Sequence, residues 1–320
     1  MKNIYLQITI LSLAILLAGL FIFKKGEDAI KGLFWDVNKS QLELEKDILF
    51  CKIDPNACKL KEPGPVNWGV YDFNKTFDNN LLAFDHYFFD WKNQSEINNL
   101  SYLFEKSKEK NRWVILTIEP YPIGDDLFSE IQAGKDDVKI TEICSHIDRS
   151  STPVFVRWGH EMERVTGRYP WAVDTPQKFI DGYNYFVNKC KSQTKNAYYI
   201  WSPAGESNAN LYWPDPQNVD YIGLSLYINK EFELDFYKKV RSFDEAFSER
   251  YDRFKNYQKP IMIAELGINV DQSAWLYNMQ NNFDKYPLLK TVVYFNAKDT
   301  DNVWGKYSTP NWSVDNKIFP

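Results

Sequence analysis

Eight short apolar runs alternating with longer amphipathic stretches predict an α/β protein of the (β/α)8 TIM-barrel type. Three observations carry this. Strand–helix alternation calls for parallel strands joined by helical crossovers. Eight such units between residues 65 and 320 fit the roughly 250 residues that a barrel needs. No glycine-rich phosphate turn follows the first run, where Asp72-Phe73-Asn74 stands instead, and this weighs against an open doubly wound sheet.

The elements follow in order. At residues 1–25, Lys2 precedes an apolar run from Ile4 to Phe23 that Lys24 and Lys25 close. About twenty helical residues reach ~30 Å, the thickness of a bilayer core. The run therefore reads as an N-terminal membrane anchor, with a cleaved signal helix as the alternative. The small-residue patch Leu17-Ala18-Gly19-Leu20 is followed by bulky Phe21-Ile22-Phe23, which disfavours cleavage. Either way the C-terminal part is expected outside the cytoplasm: in the cell envelope if anchored, secreted if the segment is cleaved. Residues 26–64 read as a stalk or linker that packs on the domain edge, helical from Ser40 to Phe50 and broken at Pro63-Gly64-Pro65.

Residues 65–320 hold the barrel. Its expected strands are Asn67–Tyr71, Leu81–Tyr87, Trp113–Ile118, Val154–Trp158, Ala197–Trp201, Tyr221–Leu226, Ile261–Ala264 and Thr291–Phe295. Helical patterns cover Gln94–Lys110, Pro176–Gln193, Phe243–Tyr257 and Gln272–Phe283, and Asp174-Thr175-Pro176 offers a cap followed by a first-turn proline.

Composition limits the function. The chain has 44% hydrophobic and 25% charged residues, which excludes wholesale disorder. A net charge of −5 without any basic run excludes nucleic acid as the main partner. Three histidines and four cysteines, with no CxxC or HExxH, leave little material for a zinc site. Aromatic residues make up 17%, and flat apolar rings stack on the C–H faces of sugars as well as filling cores. Cys51 and Cys58 flank a turn-like stretch and could close a small loop. Cys144 and Cys190 fall in helices after successive strands and either bridge them or stay free; four cysteines allow three pairings.

A parallel barrel carries its chemistry where its strands end, at their C-terminal rim. The fourth strand leads into Gly159-His160-Glu161, and the seventh ends in Glu265-Leu266-Gly267. Around these two carboxylates stand Glu119 and Tyr121, Ser202, Tyr227 and Asn296, with Trp171 and Trp304 on loops beyond. Paired carboxyl groups suit glycosidic bond cleavage, in which one donates a proton and the other attacks the anomeric carbon. Glu161 is the candidate acid/base and Glu265 the candidate nucleophile, with His160 and Tyr227 placed to donate hydrogen bonds to Glu265. For a single strand-end glutamate the plain alternative is an ion pair with a rim arginine such as Arg157. Trp158 and Trp113 read as packing and His146 as plain structure. His86 reads as either a rim or a core histidine. Asp125-Asp126 and Asp136-Asp137 read as solvated loop charge.

The segments Arg157-Trp158-Gly159-His160-Glu161-Met162, Gly167-Arg168-Tyr169-Pro170-Trp171, Trp201-Ser202-Pro203, Val219-Asp220-Tyr221-Ile222-Gly223-Leu224, Lys259 to Gly267 and Tyr294-Phe295-Asn296 resemble glycoside hydrolase family 26. The resemblance runs from about Val66 to the C-terminus. It implies a retaining endo-acting β-glycanase on a polysaccharide, β-1,4-mannan first, with Glu161 as acid/base and Glu265 as nucleophile. It also implies that His160 and Tyr227 orient the nucleophile, that Trp171 and Trp304 form sugar platforms, and that no metal or cofactor takes part. Two departures lie beside the scissile bond: Met162 to Thr166 replaces a short Asn-Gly segment, and Glu119-Pro120-Tyr121 stands where mannan-cleaving relatives place a histidine. Mixed-linkage β-glucan and β-1,3-xylan therefore remain as substrates. Trimming of a polysaccharide during its synthesis and a non-catalytic binding barrel are the further alternatives. Retention requires carboxyl groups ~5–5.5 Å apart.

Overall fold

In the computed structural model, which describes residues 39–54, 64–73, 77, 82–124 and 126–314, the apolar runs pair in chain order into a closed parallel barrel. The strands are β1 (Asn67–Asp72), β2 (Phe84–Asp90), β3 (Trp113–Glu119), β4 (Val154–Trp158), β5 (Ala197–Trp201), β6 (Tyr221–Ile228), β7 (Ile261–Ile268) and β8 (Leu289–Asn296). The barrel closes where β1 pairs with β8, from Asn67↔Thr291 to Asp72↔Asn296.

Alternation along each strand sorts side chains into two cores. Phe84, Ile115, Phe155, Ile200, Met262, Ala264 and Val293 fill the barrel interior. Val114, Val156, Ile222, Leu224 and Val292 point outward against the helices. These are α2 (Gln94–Glu109), α3 (Leu127–Gln132), α4 (Asp137–Asp148), α5 (Pro176–Lys191), the short α6 (Lys230–Phe232), α7 (Phe243–Phe254) and α8 (Gln272–Asn281). Trp158 packs outward on Phe179 and Phe186 of α5, and Trp113 stacks on Phe155 near the start of β3.

Capping explains several helix starts. Asn93 and Asp271 accept hydrogen bonds from the first turns of α2 and α8. Ser242 and Glu245 form a reciprocal capping box on α7. Thr175 precedes Pro176 at the start of α5 but makes no side-chain cap.

The structure corrects two expectations and decides between the two readings of His86. β2 begins and ends three residues later than its apolar run, because pairing with β3 fixes its register from Phe84↔Trp113 to Asp90↔Glu119. His86 is thereby a buried mid-strand residue bonded to Thr117 Oγ1 at 2.7 Å. The acidic pairs are loop charge only in part: Asp126 is exposed and caps α3, whereas Asp136 is buried and Asp137 binds Lys189 and Tyr185. Asp125 lies outside the described residues.

Cys144 and Cys190 form a disulfide that ties α4 to α5, with Cα atoms 5.3 Å apart. Cys51 is also disulfide-bonded; Cys58 lies outside the described residues. The expected stalk contributes helix α1 (residues 39–53), which docks on the barrel's outer layer. Leu44 enters the main core, Asp47 accepts from Asn278 at 2.9 Å, and Ser40 bonds Ser242. The expected anchor, residues 1–25, lies outside the described residues. Among those described, no helix is long and apolar enough to cross a membrane.

Candidate active site

The C-terminal strand ends open into a cleft of about 820 Å³ lined by Tyr71, Phe88, Glu119, His160, Glu161, Ser225, Tyr227, Glu265, Phe295 and Trp304, among others. Its floor is set by strand parity. Inward positions on β3 and β4 run Ile115, Thr117, Glu119 and Phe155, Arg157, so the arginine stands inside the barrel one layer above the apolar plug.

On β7 simple alternation fails. Met262 and Ala264 both face inward, which should send Glu265 outward. A bulge intervenes: Leu224 pairs with Ile263 but Ser225 pairs with Glu265, so Ala264 is an extra residue. Glu265 turns into the cleft and Leu266 joins the outer core.

Both Glu265 oxygens are held. Arg157 Nη1 donates to Oε1 at 2.5 Å, and Tyr227 Oη donates to Oε2 at 2.5 Å. Arg157 is fixed in turn by Ser202 Oγ at 2.7 Å from its Nε. Gly267 lets Tyr227 lie flat on β7; a Cβ at 267 would sit 2.4 Å from Tyr227 Cδ1.

Glu161 follows β4 in a left-handed conformation, φ 54°, and its N–H donates to Ser202 O at 2.8 Å. Such a backbone is uncommon outside glycine and clusters at functional sites. Arg164 Nη1 reaches Glu161 Oε2 at 3.4 Å while its Nε binds Glu206 at 2.6 Å. Buried Glu163 accepts from the N–H groups of Gly205 and Glu206 and so positions that loop.

The buried carboxyls shift in opposite directions. Burial pushes Glu161 up, but Arg164, Ser225, Arg157 and Arg168 outweigh it and hold the group below the usual carboxylate value. Burial also pushes Glu265 up, and with the charge of Glu161 it outweighs Arg157 and Tyr227, leaving Glu265 above that value. Glu119 is pushed up to about 7, first by burial and then by Glu265 and Asp90.

The structure brings together Glu161, Glu265, His160, Tyr227, Glu119 and Trp304 on one cleft. Two residues expected at the sugar, the platform Trp171 and the rim residue Tyr121, are corrected. Trp171 is fully buried, stacked under Tyr169 at 4.6 Å with its indole N–H on His160 O, so it offers no face to a sugar. Tyr121 packs edge-on against Trp171 instead of lining the cleft. His160 is corrected too: its Nε2 faces Tyr169 Oη at 3.2 Å and makes no bond to Glu265. Burial, then Arg157 and Arg168, keep this imidazole well below its ordinary pKa and therefore neutral. The donor that sequence reasoning missed is Arg157, weighed there merely as a structural partner. Its inward parity with Phe155 was the available signal. Among the described residues, no cluster of His, Cys, Asp and Glu has a metal-holding arrangement.

A closed parallel barrel with two buried carboxylates sharing a C-terminal cleft defines the class of carboxylate-pair (β/α)8 barrels. Within that class the chain resembles glycoside hydrolase family 26. Its fold is similar to that of a GH26 β-mannanase from Bacteroides ovatus, with a TM-score of 0.57 over 87% of this chain and 90% of that one, at 15% identity. It is similar to GH26C from a Muricauda species, with a TM-score of 0.54 over 81% and 84%, at 13% identity. A fungal β-1,4-galactanase gives a TM-score of 0.53 over 75% and 85%, at 10% identity. In sequence, endoglucanase H from Acetivibrio thermocellus is 25% identical over 214 residues, 62% of this chain. The chain spans 23% of that protein's length. No protein-family profile matches the chain.

Proposed function

We propose that the protein is a retaining endo-acting β-glycanase that hydrolyses a β-linked polysaccharide, β-1,4-mannan first. The observation that carries the reading is the pair Glu161 and Glu265, buried on one cleft, with the charge of Glu161 felt at Glu265. Glu265 attacks the anomeric carbon as the bond to the leaving oxygen breaks, and Glu161 gives that oxygen its proton. Water then releases the sugar from Glu265 and returns a proton to Glu161. Arg157 and Tyr227 aim the nucleophile. For Glu161 to carry a proton, Arg164 must move off it. That side chain is 36% exposed, so a sugar entering the cleft can displace it, and burial then raises Glu161.

A β-glucan is the second reading, favoured by the similarity to an endoglucanase. The N-terminal apolar segment supports export and a place in the cell envelope, which fractionation of expressing cells tests.

Function is tested by incubating the enzyme with mannan, mixed-linkage β-glucan and β-1,3-xylan and sizing the products. Glu265→Ala should abolish release of reducing ends, and azide should restore cleavage with formation of a glycosyl azide. Full activity in that variant removes Glu265 from the role.

A further inference from the structure

Two arginines at the cleft have no carboxylate partner among the described residues. Arg164 and Arg241 are engaged, the first by Glu206 and Glu161, the second by Glu233 at 2.7 Å. Arg250, from α7, is not. Its Nη1 donates to Ala246 O at 2.7 Å within its own helix, and its buried Nε meets no acceptor. The stem is seated on Gly205, where a Cβ would lie 3.0 Å from Arg250 Cδ. With φ +95° at residue 205, the chain favours glycine there on both counts.

That seat holds the guanidinium on the cleft beside two others. Burial, followed by the like charges of Arg241 and Arg164, pulls Arg250 below the usual arginine value, a cost that an anion at its guanidinium would relieve. On the loop after β4, Arg168 lies over the Tyr169 ring at 4.9 Å, also on the cleft and without an ion pair. Two nearby acids are already engaged: Glu206 by Arg164, and Asp299 by the indole N–H groups of Trp304 and Trp312 at 2.8 and 3.1 Å. The cleft lining also holds Lys298 and five acids, so what sets Arg250 and Arg168 apart is that neither has an ion pair among the described residues.

We propose that the cleft takes an acidic glycan, a β-linked polysaccharide whose sugars carry carboxylate groups that Arg250 and Arg168 bind. A guanidinium fork matches a carboxylate in plane and in charge. The inference rests on the glycanase reading and names its substrate class.

The test pairs polymers that differ only at C6: β-1,4-mannan with β-1,4-polymannuronate, and β-1,4-glucan oligomers with their C6-oxidised forms. In at least one pair the acidic member should show a kcat/KM about tenfold or more above its neutral parent at low salt, with the ratio falling as salt rises. Arg168→Gln, on an exposed loop, and Arg250→Met should each lower that ratio severalfold. Equal or better turnover of both neutral parents overturns the proposal and leaves the glycanase reading intact. So does a ratio that neither substitution moves. Faster cleavage of sulfated mannan than of polymannuronate overturns the carboxylate assignment. If wild type cleaves none of these polymers while Glu265→Gln binds acidic oligomers, and Arg168→Gln abolishes that binding, the glycanase reading fails and the acidic ligand stands.

Discussion

Arg157 and Glu265 form a buried ion pair between β4 and β7, Nη1 to Oε1 at 2.5 Å, with the arginine side chain fully enclosed and the carboxylate nearly so. Removing one member of such a pair leaves the other charge buried and alone, which destabilises by about 3–5 kcal/mol. Arg157→Met should therefore lower stability by that amount in urea denaturation and also lose activity. Combining it with Glu265→Gln should recover much of the stability and none of the activity. An Arg157→Met protein as stable as wild type would mean that the pair carries no structural role.

Tyr227 depends on the missing side chain at residue 267. A methyl group there would sit 2.4 Å from Tyr227 Cδ1 and 2.8 Å from Trp312, so the tyrosine must move off Glu265. Misplacement of about 1 Å at a reacting group lowers rates on the order of 10²-fold. Gly267→Ala should lower kcat to that extent while the fold survives by circular dichroism. Tyr227→Phe should do the same, and the double variant should be no worse than either alone. Additive losses would separate the glycine from the tyrosine.

Arg164 holds Glu161 ionised, so its loss should move a pH profile in a defined direction. Removing a neighbouring cation favours the neutral carboxyl and raises its pKa. The alkaline limb of kcat/KM, which reports the free enzyme's acid, should shift upward in Arg164→Gln. A limb that stays in place would mean that another group is the acid.

Glu119 offers a stability test. Its folded pKa of about 7 lies above its ordinary value of 4.5, so the native state binds a proton that the unfolded chain gives up. That contribution is fully present below pH 4.5 and lost as pH rises through about 7. Glu119→Gln, which stays neutral, should match wild type in acid and melt higher above pH 7. Parallel melting curves across this range would show that Glu119 titrates normally.

Much of the barrel was legible because each strand is a short apolar run that must be covered on both faces. Six of the eight runs end within two residues of their strands, and Val154–Trp158 and Ala197–Trp201 coincide with β4 and β5. β2 slipped because its apolar run starts ahead of the residues that pair with β3. The two glutamates were legible because barrel chemistry gathers at strand ends. Trp171 misled: an aromatic ring after a strand end is written the same way whether it faces sugar or supports the residue that does.

The amino-acid order by itself determined eight crossover units, the positions of Glu161 past β4 and of Glu265 late on β7, and an aromatic supply large enough for core and cleft. Alternation is local, so a reader can follow it residue by residue. Only the tertiary structure decided which way Glu265 points. The extra residue at Ala264 arises from how β7 registers against β6, and register is a property of two strands that neither one contains. The same holds for Arg157, which became the nucleophile's partner once closure set β4 and β7 around a shared interior.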